Sequence, residues 1–161
     1  MNVMFRTLLP LLVVVACTSE KLPTDPSGPS ENPVCVFADK GAWSVDAVGM
    51  FKVPENSLGG ILRAAQLGYD GVECDVRCTS DGVMVLNHDE TINRTSNGTG
   101  FIKDMTLAEL KKFDFGSWYS HEFKKETIPT LREVLYVFKD THHHLNIELK
   151  SDVFPYEGME Q

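Results

Sequence analysis

Gly71-Val72-Glu73-Cys74-Asp75-Val76-Arg77-Cys78 reads as a β-strand, in which residues i and i+2 point the same way. Glu73, Asp75 and Arg77 share one face, and Val72, Cys74, Val76 and Cys78 share the other. The turn signal Ser80-Asp81-Gly82 closes it. Leu145 to Lys150 repeats the pattern, with Asn146, Glu148 and Lys150 opposite Leu145, Ile147 and Leu149. Strands of a parallel sheet are generally covered on both faces and read as continuous apolar runs. Carboxylates there are costly unless they are paired or hold a cation. Spacing alone leaves three readings open: a solvated sheet face, buried ion pairs such as Glu148 with Arg77, and a cation site.

The neighbouring stretches set the fold class. Val34 to Ala38 is a short strand-type run. Pro54 to Gly68 is predicted as a helix, because Leu58, Ile61, Leu62 and Ala65 fall at helical spacing and Gly68 is a natural stop. Val83 to His88 is predicted as a strand that aligns Met84, Leu86 and His88. A long excursion, Asp89 to Ile128, opens with the Asn- and Gly-rich stretch Asn93 to Gly100. Thr106 with Glu109, and Thr130 with Glu133, have the spacing of helix capping boxes. Strands alternating with helices predict an α/β fold with a mainly parallel sheet.

The chain has 161 residues, 42% hydrophobic and 24% charged, which suits one soluble domain. A formal net charge of -8 argues against a nucleic-acid surface, which needs a basic patch. Thr7 to Ala16 is an apolar run too short to span a bilayer. It ends in Val14-Val15-Ala16-Cys17, which resembles the lipobox of bacterial lipoproteins. Residues 1–16 are therefore expected to be a lipoprotein signal peptide, with Cys17 lipidated and the protein anchored in a bacterial cell envelope. Lys21 to Pro33, with four prolines, is expected to be a tether within residues 17–33, and the folded domain to occupy 34–161. The other cysteines, Cys35, Cys74 and Cys78, are odd in number, which argues against a disulfide framework.

Eight short pieces, in this order and spacing, carry a resemblance: Pro54-Glu55-Asn56-Ser57, Gly71 to Val76, Asp81-Gly82, Asn87-His88-Asp89, Arg94-Thr95, Asn97 to Gly100, Ile128 to Leu131 and Asn146 to Lys150. Together they are similar to the glycerophosphodiester phosphodiesterase family, over about Phe37 to Lys150. The resemblance implies a TIM (β/α)8-type barrel of the phospholipase-C-like phosphodiesterase class. A complete barrel of this type needs eight strands and about 250 residues, so the first four strands are expected here. It implies that Glu73, Asp75 and Glu148 ligate one divalent cation, and an all-carboxylate set suits Mg²⁺ or Ca²⁺. It implies that Lys40 and Lys150 bind phosphate and that His88 acts as general acid or base. Glu55 and Asn56 are expected beside the site, with Glu55 in reach of Lys40. The run His142-His143-His144 is not expected to hold metal, because it precedes its strand.

One departure bears on activity. The family has His-Arg-Gly at the end of its first strand; this sequence has Asp39-Lys40-Gly41. Asp39 takes the place of a catalytic histidine. A free aspartic acid is only about one part in 10³ protonated at pH 7, which makes it a poor acid. Lys40 keeps the charge of arginine without its fork. The expected function is metal-dependent hydrolysis of a small-molecule glycerophosphodiester to glycerol phosphate and an alcohol. The alternative is a non-catalytic phosphodiester-binding lipoprotein.

Overall fold

The computed structural model describes residues 3–6, 35–43, 53–139, 141–151 and 153–156. Its sheet is built from β1 (Val3–Arg6), β2 (Phe37–Ala38), β3 (Gly71–Cys78), β4 (Met84–Leu86) and β5 (His144–Leu149). Among the described residues three α-helices accompany it, α1 (Leu58–Gln66), α2 (Leu107–Leu110) and α3 (Leu131–Phe138). β2, β3 and β5 are neighbours in chain order, and each adjacent pair is parallel. That is the progression of a barrel wall. The strand expected over 83–88 is shorter and pairs antiparallel with β3, so it is a hairpin arm beside the parallel set. Val3–Arg6, inside the expected signal segment, lies parallel on the far side of β5, with Arg6 level with Glu148. The lipobox and the tether lie outside the described residues.

The alternation of β3 and β5 is realised in the packing. Val72, Cys74 and Val76 join Leu145, Ile147 and Leu149 in one core, covered by Ile61 and Ala64 of α1 and by Val134 and Phe138 of α3. The opposite faces carry the acids. A second, separate core gathers Val85, Ile92, Ile102, Leu110, Phe115 and Ile128 under the 89–128 excursion. Cys74 and Cys78 are free thiols. Among the described residues no helix is long and apolar enough to cross a membrane.

Helix α1 begins later than the expected Pro54. Ser57 is the N-cap, accepting from Gly60 N at 3.0 Å while its hydroxyl donates to Pro54 O at 2.7 Å. Pro54 to Asn56 forms the preceding turn, with Asn56 at φ 50°. The helix stops before Gly68, which takes a φ of 80° that side chains resist.

Both capping boxes are present, at Thr106/Glu109 and Thr130/Glu133. Thr130 accepts from Glu133 N at 3.1 Å, and Glu133 accepts from Thr130 N at 2.6 Å. Thr130→Ala is therefore expected to cost about 1 kcal/mol, read as a lower urea midpoint at unchanged slope. A change below about 0.3 kcal/mol would mean that the cap is redundant with the Val85–Thr130 bridge.

Candidate active site

Asp75 on β3 lies level with Glu148 on β5, and Glu73 lies level with Asn146. One carboxylate oxygen from each of Glu73, Asp75 and Glu148 falls within 4.8 Å of the others. These strands splay their acids toward one side because period-two alternation sends every apolar residue to the helices.

The first loop clamps two of the three. Asn56 Nδ2 donates to Asp75 Oδ2 at 2.8 Å, and Asp75 N donates back to Asn56 Oδ1 at 3.0 Å. Asn56 N in turn donates to Lys40 O at 2.9 Å. Lys40 N donates to Glu73 Oε2 at 2.8 Å, and Gly41 N to Glu73 O at 3.2 Å. A glycine is required at 41, where φ is 80° and a Cβ would meet Gly60 C at 2.8 Å. Thus Lys40 supports the site through its backbone as well as its charge.

Burial, together with the charge of Asp75, pushes the Glu73 carboxyl up to about 8. Its Oε1 is buried with no hydrogen-bond partner, and so is Asn146 Oδ1 on the adjoining strand. Lys150 Nζ donates to Glu148 Oε1 at 2.8 Å and lies 3.3 Å from Asp75 Oδ1. Burial works against the Lys150 ammonium, but the bond to Glu148 and the charge of Asp75 prevail and raise its pKa. One lysine charge does not balance three clustered carboxylates. The donor set, all hard oxygens with one orphaned and buried, fits a divalent cation.

His88 stands in the turn after β4. Its Nδ1 meets Asp89 Oδ1 at 2.9 Å. Asp89 is held by Arg94, and the bonds from that guanidinium lower its carboxyl to about 2. Asn87 orders the turn, donating to Asp89 O at 2.7 Å and accepting from Thr95 Oγ1 at 2.9 Å.

Arg77, 2% exposed, braces the same turn. Its Nε and Nη2 donate to His88 O at 3.0 and 2.7 Å, and Nη1 reaches Lys150 O at 3.4 Å.

One expected pairing is corrected, and one that spacing left open takes other partners. Glu55 does not reach Lys40. The left-handed turn at Asn56 commits Asn56 to Asp75 and leaves Glu55 to Arg94, at 2.6 and 2.9 Å. Lys40 Nζ instead lies 3.5 Å from Asp39. Arg77 faces Glu90 at 3.7 Å, whereas Glu148 takes Lys150.

The Asp39 side chain is 67% exposed and stands outside the carboxylate cluster. His143 Nδ1 contacts Tyr69 O, and the His144 ring lies against Phe37. Cys17 is outside the described residues. Arg94 and Arg77 were not singled out as site residues by the sequence. The one signal for Arg94 is its place in the Arg94-Thr95 pair.

The family model described as glycerophosphoryl diester phosphodiesterase family matches residues 49–159. A curated relative from Caldanaerobacter subterraneus subsp. tengcongensis, named glycerophosphodiester phosphodiesterase, is 49% identical over 109 residues, covering 68% of this chain and 45% of that protein. Human glycerophosphodiester phosphodiesterase 1 is 42% identical over 101 residues, covering 62% of this chain and 30% of its own. An Oleispira antarctica phosphodiesterase solved with the product sn-glycerol-3-phosphate superposes with a TM-score of 0.65 at 40% identity, over 78% of this chain and 47% of that one. A glycerophosphodiester phosphodiesterase from Agrobacterium tumefaciens gives a TM-score of 0.63 at 35% identity, over 71% of this chain and 46% of its own. The chain spans less than half the length of these relatives.

Proposed function

The chain belongs to the glycerophosphoryl diester phosphodiesterase family, and from that premise we propose that it supplies the cation- and phosphate-binding wall of a metal-dependent hydrolase. Its substrate class is the glycerophosphodiesters, cleaved to glycerol phosphate and an alcohol. The observation that carries the reading is the convergence of Glu73, Asp75 and Glu148 around a buried Glu73 oxygen that nothing satisfies.

Glu73, Asp75 and Glu148 hold one divalent cation, Mg²⁺ or Ca²⁺. When bound, it polarises a phosphate oxygen and lowers the pKa of the attacking hydroxyl or water. Lys150 already sits on Glu148 and Asp75, so its ammonium is placed to offset phosphate charge beside the acids. Lys40 adds a second ammonium from the first loop. His88 donates from Nδ1 to Asp89, because an ionised carboxylate can only accept. Its Nε2 is then the atom that takes a proton from the nucleophile or returns one to the leaving alcohol.

Hydrolysis of glycerophosphocholine and glycerophosphoethanolamine with Mg²⁺ or Ca²⁺, abolished by chelator, is the expected result. No product from any glycerophosphodiester would sink the reading. Asp39→His is expected to raise the rate about tenfold or more, by restoring a group able to donate a proton near neutral pH. Equal rates would show that Asp39 suffices or that no acid is needed there.

The exposed, Lys40-paired Asp39 also favours a second reading, a lipoprotein that binds phosphodiesters without cleaving them. Calorimetry with an intact diester separates the two, since that reading requires metal-dependent binding without turnover. Anchoring through Cys17 is part of the proposal for either function. Its support is the lipobox-like Val14-Val15-Ala16-Cys17, and metabolic labelling with a fatty acid, lost in Cys17→Ser, is its test.

A further inference from the structure

Four side chains from two loops form a continuous chain of ionic hydrogen bonds that ends on His88. Glu55, with a side chain only 5% exposed, gives both oxygens to Arg94, at 2.6 and 2.9 Å. Arg94 gives Nε to Asp89 Oδ2 at 2.8 Å and Nη2 to Asp89 Oδ1 at 3.0 Å. Four of the five guanidinium N–H groups are thereby committed to two carboxylates. Asp89 Oδ1 also receives His88 Nδ1 at 2.9 Å. The Trp118 ring lies 5.8 Å from Arg94 Cζ, so an aromatic surface packs beside the guanidinium.

The far end of this chain is rigid. Glu55 precedes Asn56, whose side chain is locked to Asp75. The Arg94 fork therefore fixes the Asp89 carboxylate relative to the acidic cluster, and Asp89 fixes the imidazole. A planar fork holding two carboxylates at once orients them in a way that a point charge cannot.

We propose that Arg94 is a positioning residue, anchored by Glu55, that holds Asp89 so that His88 keeps its proton on Nδ1 and presents a bare Nε2. The catalytic half of this inference rests on the hydrolase reading given above; the tautomer half does not. Which imidazole nitrogen carries the proton is set by the bond that the other atoms of the site impose. Losing the fork lets the carboxylate rotate away and mixes in the Nε2–H form.

The test uses ¹⁵N-histidine spectra of the chain at a pH where imidazole is neutral, about 9, with the His88 signal assigned through His88→Gln. The parent is expected to show the Nδ1–H tautomer alone. Arg94→Lys, which keeps the charge and loses the fork, and Arg94→Gln are both expected to show a mixture. With a diester substrate, kcat of Arg94→Lys is expected to fall by about tenfold to a hundredfold with KM nearly unchanged. An Nε2–H parent, or an unchanged tautomer in both variants, would overturn the proposal. So would collapse of the fold in both variants, since Arg94 would then be structural. If the parent cleaves no diester while the tautomers behave as expected, the hydrolase reading fails and the positioning role stands.

Discussion

Arg77→Met is expected to lower the unfolding free energy by about 3 kcal/mol. Arg77 is 2% exposed, and its guanidinium donates to His88 O twice and to Lys150 O once while facing Glu90. Methionine fills much of the volume but leaves two carbonyls and one carboxylate without their donor. Because one carbonyl belongs to His88 and the other to Lys150, the lesion spreads to both sides of the site. Urea unfolding followed by tryptophan fluorescence measures the loss. Arg77→Lys is expected to recover less than half, since one ammonium cannot span His88 O and Lys150 O in the same geometry. A loss below about 1 kcal/mol in Arg77→Met would show that water replaces the guanidinium without penalty.

Glu73→Gln is expected to stabilise the metal-free protein near pH 8 while removing its response to divalent cations. The Glu73 carboxyl is raised from 4.5 to about 8 by burial and by the neighbouring acids, Asp75 first. Between those values the native state holds a proton that the unfolded chain releases. The stabilisation is fully present below about 4.5 and is lost as pH rises through about 8. The parent without metal should lose on the order of 2–4 kcal/mol across that window. Glutamine cannot ionise and should show a flatter profile there. Thermal melts at pH 5, 7 and 8.5, with and without Ca²⁺, read both halves of the prediction. Added cation should raise the parent's melting temperature and leave Glu73→Gln unmoved, and diester hydrolysis should fall about 10³-fold. A parent profile that rises with pH in the absence of metal would refute the assignment of Glu73 as the strained acid.

The strands were legible because alternation is a local property. Glu73, Asp75, Asn146 and Glu148 each sit two residues from a like-facing neighbour, and the apolar residues between them could only turn toward helices. The capping boxes were legible for the same reason, since Thr106/Glu109 and Thr130/Glu133 need no knowledge beyond three residues. The turn at Asn56 was not. A left-handed backbone at a non-glycine residue has no periodicity, and it shortened α1 and sent Glu55 to Arg94. The partner of Arg77 stayed open because three of its hydrogen bonds go to backbone carbonyls, which no sequence distinguishes. Arg94 and Asp89 are five residues apart, whereas Glu55 is thirty-nine residues from Arg94. Only the fold brings that last pair together.

The two separate cores have a consequence for how this scaffold can change. Val85 belongs to the core under the 89–128 excursion, whereas the next residue, Leu86, belongs to the core behind the carboxylate strands. The boundary between the two therefore falls inside a three-residue strand. Ile92, Ile102, Leu110 and Phe115 pack in a core that shares no buried residue with the one behind β3 and β5. The apolar packing of the excursion is thus open to revision by drift, while Asp89 and Arg94 at its start and the acids on the strands keep their places. Hydrogen exchange should find two protection classes that meet at residues 85 and 86.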